Sequence, residues 1–514
     1  MTLSQSELDV AGPDSGRWLG AWRERLSLPG GASVQGDQDS SGGQARAEVW
    51  RLAASAGLTA ALCTVLWFGA GDLAAEGRIA LCTFAAAVIF WIGTRLDKTF
   101  IALAVLAAGA VLGSGSPEAT LLSAFGEGLI ALLLAAFILA AAITSSGLAE
   151  RCTGLLLRHT RSVSQAVYAM TAGMILLALV MPSTSGRAAL LLPVFLAMAA
   201  QIPNPRITKA VALLIPTIVL LSSAGSLIGA GANVFVADAI RQLNGETIGY
   251  LRWLVLGLPF AVLSCFGAAW VILHAFLDRT ERHCALEIGQ TPEASRDSLS
   301  PRERYVLAVA LVLVLLWCSE ALHGLDNVTV ALLGALAVTA PRIGALTFKQ
   351  AVKGVDWNLL LFMAACLQLG GALVESGGAA WVVDRLLSSA PRDGASLLGF
   401  LVLVSTLGLL SHLLITSRTV RVTILLPMIL PLAASLGFNA TALGFILAVA
   451  TGYCLTLPIS AKPIAMLSEI DAPSFEPRDL LKLSAILLPF HLALLLIFSL
   501  WIWPFLGLPV IGGS

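Results

Sequence analysis

Ser183-Thr184-Ser185-Gly186-Arg187-Ala188-Ala189-Leu190-Leu191-Leu192-Pro193 and Ser417-Arg418-Thr419-Val420-Arg421-Val422-Thr423-Ile424-Leu425-Leu426-Pro427 superimpose without a gap at an offset of 234 residues. A serine, a hydroxyl two places on, an arginine four places on and a closing Leu-Leu-Pro coincide. Each copy interrupts an apolar run, 163-200 and 395-435, that is about twice the roughly 20 residues a membrane helix needs. A helix that enters, breaks at the polar tip and returns accounts for both length and interruption. An arginine held at the same place in two such tips points to function, because charge inside a bilayer is costly.

Working outward, a second irregular stretch follows each tip at a similar distance. Ser222-Ser223-Ala224-Gly225-Ser226-Leu227-Ile228-Gly229-Ala230-Gly231-Ala232-Asn233 divides the run 207-240, and Leu457-Pro458-Ile459-Ser460-Ala461-Lys462-Pro463 divides 440-466. Glycine and proline release backbone groups from helical bonding there, which is tolerated at membrane depth only against protein or a watery cavity. The helix ends so exposed direct partial charges at a ligand. Ser226, Gly229, Gly231, Pro458, Ser460 and Pro463 are the expected broken-helix positions.

Composition agrees with a life in lipid. Of 514 residues, 57% are hydrophobic and 12% charged, and the mean hydropathy is +0.87. Lys+Arg and Asp+Glu both total 31, so nothing points to nucleic acid as a partner. The eight cysteines are scattered singly with no zinc-type spacing, and no metal or cofactor is expected. No GxSxG elbow and no HExxH occurs, which argues against an enzyme. His412 and His491 are single histidines on apolar helices, read as packing residues.

The expected fold is all-α and polytopic, an inverted repeat with five spans plus one re-entrant hairpin per half, about eleven spans in all. The expected divisions are a disordered cytoplasmic arm 1-50, a first span 51-71, a first repeat 72-277, a cytoplasmic linker 278-303 and a second repeat 304-514. Arg151, Arg158 and Arg161 before the first hairpin and Arg206 and Lys209 after it place its base inside by the positive-inside rule. The second hairpin then enters from outside, with the amino end cytoplasmic and the chain in a bacterial inner membrane.

This arrangement resembles the divalent anion/sodium symporter family, whose hairpins carry Ser-Asn-Thr motifs and whose broken helices carry Thr-Pro-x-Gly-Thr-Pro-Pro-Asn-like loops. Ser183-Thr184-Ser185 and Ser417-Arg418-Thr419 occupy the motif positions; Ser226 to Asn233 and Leu457 to Ile464 occupy the loops. Ser145-Ser146-Gly147-Leu148 and Val355-Asp356-Trp357-Asn358 extend the likeness, which covers most of 78-510. The resemblance implies a secondary carrier of small organic anions, a homodimer in the lipid bilayer, and elevator-type motion. It also implies sodium sites lined by the motif oxygens, and here the chain departs. The motif asparagine is Thr184 in one tip and Arg418 in the other, and a guanidinium cannot ligate sodium. The expectation is therefore sodium-independent exchange or proton-linked movement of di- or tricarboxylates. A sodium-coupled carboxylate symporter, or a carrier of an inorganic oxyanion such as sulfate, is the alternative. Ser183, Thr184, Ser185, Arg187, Asn233, Ser417, Arg418, Thr419, Arg421 and Lys462 are the expected substrate-binding residues.

Overall fold

A computed structural model describes residues 38–113, 115–148, 151, 160–202, 204–285, 299–389, 397–468, 470 and 474–511. Among them the structure is helical, with only two isolated bridges of β type. Helix α1 covers Gln38–Gly69 and so begins well before the expected 51, inside the segment read as a disordered arm; residues 1–37 lie outside the described residues.

The first half then runs α2 (Ala75–Gly93), α3 (Lys98–Leu112), α4 (Pro117–Gly126), α5 (Gly128–Ser146), α6 (Val163–Ala178), α7 (Thr184–Gln201), α8 (Pro205–Ser222), α9 (Gly231–Asn244) and α10 (Tyr250–Phe276). The second half repeats the order with α11 (Pro301–Cys318), α12 (Asn327–Val338), α13 (Trp357–Glu375), α14 (Gly378–Ser389), α15 (Leu397–Leu410), α16 (Arg418–Ser435), α17 (Ala440–Thr451), α18 (Lys462–Ser468) and α19 (Pro477–Ile497). Helix α11 starts at Pro301, inside the expected linker, because Ser300 and Glu303 close a capping box around it. Eight of the helices, counted over the described residues, are long and apolar enough to cross a membrane.

Both double-length runs are hairpins. The first turns between α6 and α7, the second between α15 and α16, and the leading serine of each motif caps the outgoing helix: Ser183 Oγ accepts from Gly186 N at 3.0 Å, and Ser417 Oγ from Val420 N at 3.4 Å. Such a cap contributes about 1 kcal/mol and sets where the returning helix begins. Both broken helices are present too. Helix α8 stops at Ser222, two short 3₁₀ turns (Ser223–Gly225, Leu227–Gly229) follow, and α9 resumes the chain. Helix α17 stops at Thr451, and α18 resumes after the Pro458–Ser460 turn.

The two halves exchange partners at these breaks. Helix α9 packs on α16 and α17 of the second half, while α18 packs on α7 and α8 of the first. Helix α8 is the most enclosed span, with 94% of its most apolar window buried, and α10 lies along it. That approach is close at Gly257, where a Cβ would meet the Ala224 carbonyl oxygen at 2.3 Å. Gly229 is similarly confined, its would-be Cβ standing 2.6 Å from Ser223 O. The first break is thus sealed by backbone contacts rather than left to lipid.

Candidate functional site

Both hairpin tips and both broken stretches meet at one cavity of about 560 Å³. Its wall holds Ser183, Thr184 and Ser185 of the first tip, Ser417, Arg418, Thr419 and Arg421 of the second, Gly231 of the first break, and Ser460, Lys462 and Pro463 of the second. Ser183 and Ser417 are engaged as caps, and Ser460 Oγ accepts from Leu457 N at 3.1 Å. Thr184 and Ser185 carry no side-chain hydrogen bond to the described residues, so their hydroxyls are open to a ligand.

The four basic groups singled out in the sequence have different surroundings. Arg187 is fully buried behind the wall, where Nη1 donates to Ser222 Oγ and Nη2 to Gly229 O, each at 2.9 Å. It holds the first break shut and does not face the cavity. Arg418 reaches from the second tip into the first half: Nη1 donates to Ser223 Oγ at 2.8 Å, and Nη2 to Asn233 Oδ1 at 2.7 Å and Ala448 O at 2.8 Å. Three oxygens of different types therefore enclose one cation. Arg421, the repeat partner of Arg187, borders the cavity. Only its Nη2 is engaged, on Cys454 Sγ at 2.6 Å, and its buried Nε and Nη1 have no partner. Lys462 opens α18 and is exposed on the wall.

Asn233 is fully buried, and its amide is occupied by the protein: Nδ2 donates to Ser223 O at 2.7 Å and Ser226 O at 2.9 Å while Oδ1 accepts from Arg418. It stands with Arg187, Ser226 and Gly229 behind the wall, and Pro458 is also off it. The expected site thus divides into residues that face the space and residues that hold the breaks in shape.

The sequence reading missed part of the wall. Arg95, Asp97 and Lys98 from the corner between α2 and α3, with Asp356 and Asn358 at the start of α13, complete the cavity. Lys98 Nζ donates to Thr416 Oγ1 at 2.8 Å, tying that corner to the second tip. Both carboxylates are committed to helix starts, Asp97 accepting from Thr99 N and Phe100 N and Asp356 from Leu359 N. A signal was present in the length of α3, which has 15 residues and so is shorter than the roughly 20 that cross a bilayer. Its charged first turn has no need to reach the membrane surface.

Over residues 47–509 the chain matches the family described as "Sodium:sulfate symporter transmembrane region". The chain belongs to this divalent anion/sodium symporter family. It is accordingly a multi-pass membrane transporter and not an enzyme. Among relatives of this chain, a "Membrane protein" of Cupriavidus necator is 24% identical, with 85% of this chain and 89% of that protein covered. The "Putative malate transporter YflS" of Bacillus subtilis is 24% identical over 65% of this chain and 72% of its own. A "Sodium-dependent dicarboxylate transporter SdcS" of Staphylococcus aureus is 23% identical over 79% and 82%. In solved structures the same fold occurs in the Alcanivorax borkumensis YdaH transporter, with a TM-score of 0.51 at 17% identity, 84% of this chain and 100% of that one being covered. Neisseria gonorrhoeae MtrF gives a TM-score of 0.53 at 13% identity, covering 84% and 99%.

Proposed function

We propose that this transporter is a sodium-independent carrier of small organic di- or tricarboxylates, working by exchange of one anion for another, with proton-linked movement as the variant. The observation that carries this reading is the oxygen cage around Arg418. A hydroxyl, an amide oxygen and a backbone carbonyl are the hard ligands an alkali cation takes in place of its water, and here a guanidinium occupies them. Arg187 fills a second, smaller set made of Ser222 Oγ and Gly229 O. A cation bound covalently cannot dissociate on one side of the membrane and rebind on the other. It travels with the protein, and surplus charge without a counter-anion resists passage through the bilayer. Return of the empty carrier is then slow, and exchange is fast.

Substrate recognition in this reading falls to Arg421, Lys462, Thr184, Ser185 and Thr419. Arg421 supplies the planar fork that pairs with two carboxylate oxygens. The names of the relatives support a carboxylate as cargo. Convergence of two hairpin tips on one cavity supports elevator-type displacement of the hairpins and broken helices in a homodimer, with the amino end inside a bacterial inner membrane and the carboxyl end outside. The reading favoured by the Staphylococcus relative's name is a sodium-coupled carboxylate symporter.

Flux into proteoliposomes separates the two. Uptake of labelled succinate or citrate is expected to be equal in sodium and choline media and to rise several-fold when unlabelled substrate is loaded inside. Uptake that requires a sodium gradient would sink the proposal and leave the symporter. Arg418→Asn restores the motif asparagine and vacates the oxygen cage. The variant is expected to bind anion more weakly and to gain a sodium response; an unchanged response would reduce Arg418 to a brace between the halves.

A further inference from the structure

We infer that the cavity is built for a trivalent anion, a tricarboxylate rather than a dicarboxylate or sulfate, and that Lys98 is the residue that makes the distinction. This rests on the reading that the cavity is the carboxylate site. Five cations line it, Arg95, Lys98, Arg418, Arg421 and Lys462, against two carboxylates, Asp97 and Asp356, a surplus of three positive charges. Each carboxylate accepts its helix-start amides through Oδ1 alone and keeps its charge, so both are counted against the cations. A dianion leaves one of the surplus charges without a counter-charge in the cavity, and Coulomb attraction favours the ligand that supplies it.

Placement gives Lys98 the discriminating role. It enters from the corner between α2 and α3 beside the second tip, where Arg421 and Lys462 lie near enough for their charges to act on it, with Asp97 acting in the opposite sense. One of its three N–H groups is engaged by Thr416, which leaves two for a ligand. Arg421 has two unpartnered nitrogens, and Lys462 has no ion pair among the described residues. A volume of about 560 Å³ falls within the roughly 300–1,000 Å³ of pockets that enclose a whole small ligand. A third carboxylate arm directed at Lys98 is accommodated.

Binding of succinate, tricarballylate and sulfate to the purified full-length protein at pH 8, where all three are fully ionised, tests the inference by calorimetry. Tricarballylate is expected to bind at least about tenfold tighter than succinate, the scale of one charge-assisted hydrogen bond. Lys98→Gln should weaken tricarballylate at least tenfold more than succinate, and Lys98→Arg should recover most of that margin. Lys98 is half-exposed in the first turn of α3, and the unliganded melting temperature serves as the fold control. Succinate or sulfate binding the native protein as tightly as tricarballylate, or Lys98→Gln weakening all three alike, would overturn the inference while leaving the carrier reading intact. If the native protein binds none of them, the carboxylate reading itself fails.

Discussion

Replacing Arg421 by glutamine is expected to abolish anion binding while making the unliganded protein more resistant to heat. Arg421 is fully buried, touches one thiol, and leaves Nε and Nη1 without partners. A buried charge so poorly compensated destabilises the fold, and its removal relieves several kcal/mol of desolvation penalty. A carboxylate that takes the guanidinium in bidentate fashion uses the Nε–Nη2 or the Nη1–Nη2 edge, so it engages one of these unpartnered nitrogens and draws Nη2 from Cys454. Loss of that contact is worth roughly 2–3 kcal/mol, about a hundredfold in affinity. The two effects have opposite signs in a single thermal-shift experiment: the apo melting temperature rises and the ligand-induced shift disappears. A variant that melts higher yet still responds to ligand would remove Arg421 from the site. One that melts lower would mark Arg421 as a structural element like Arg187.

Gly257→Ala is expected to be the most damaging small substitution in the molecule. The added methyl would stand 2.3 Å from the Ala224 carbonyl oxygen and 3.3 Å from its carbon, both backbone atoms. The same carbonyl accepts from Trp253 Nε1 at 3.1 Å, so the loop is held on that side as well. Overpacking a well-filled core costs typically about 1–3 kcal/mol, and here α10 must move away from the break in α8. Ser222 and Ser223 sit at that break and hold Arg187 and Arg418. Stability and ligand response should therefore fall together. Gly126→Ala, with nothing within 4 Å of the new carbon, is the control expected to leave both unchanged. Equal melting temperatures for the two variants would show that the contact between α10 and the break is slack.

The hairpins and broken helices were legible because each leaves a local mark: a run of double length, a polar tip, or a cluster of glycine and proline. The fate of individual arginines was not. Arg187 and Arg421 have equivalent places in the repeat, four residues after a serine and six before a proline, yet one closes a break and the other borders the cavity. The difference lies in what faces them. Ser222 and Gly229 offer oxygens to Arg187, whereas Arg421 meets the sulfur of Cys454, a weak acceptor, and its Nε and Nη1 are left without partners. Asn233 matched a family position expected to touch substrate, but its amide is saturated by Ser223, Ser226 and Arg418. Lys98 escaped notice for the opposite reason. Its contact with Thr416 joins residues 318 apart, and no local pattern reports a pairing of that range.

The reach of Arg418 into the first half bears on how the protein is made. A ribosome delivers Ser223 and Asn233 to the membrane long before the second hairpin is synthesised, and until then those oxygens lack the guanidinium that joins them. The amino-terminal half is consequently an unfinished product that matures only when the carboxyl-terminal half inserts beside it. Co-expression of the two halves as separate polypeptides should yield a stable pair, and the first half alone should be cleared by quality-control proteases.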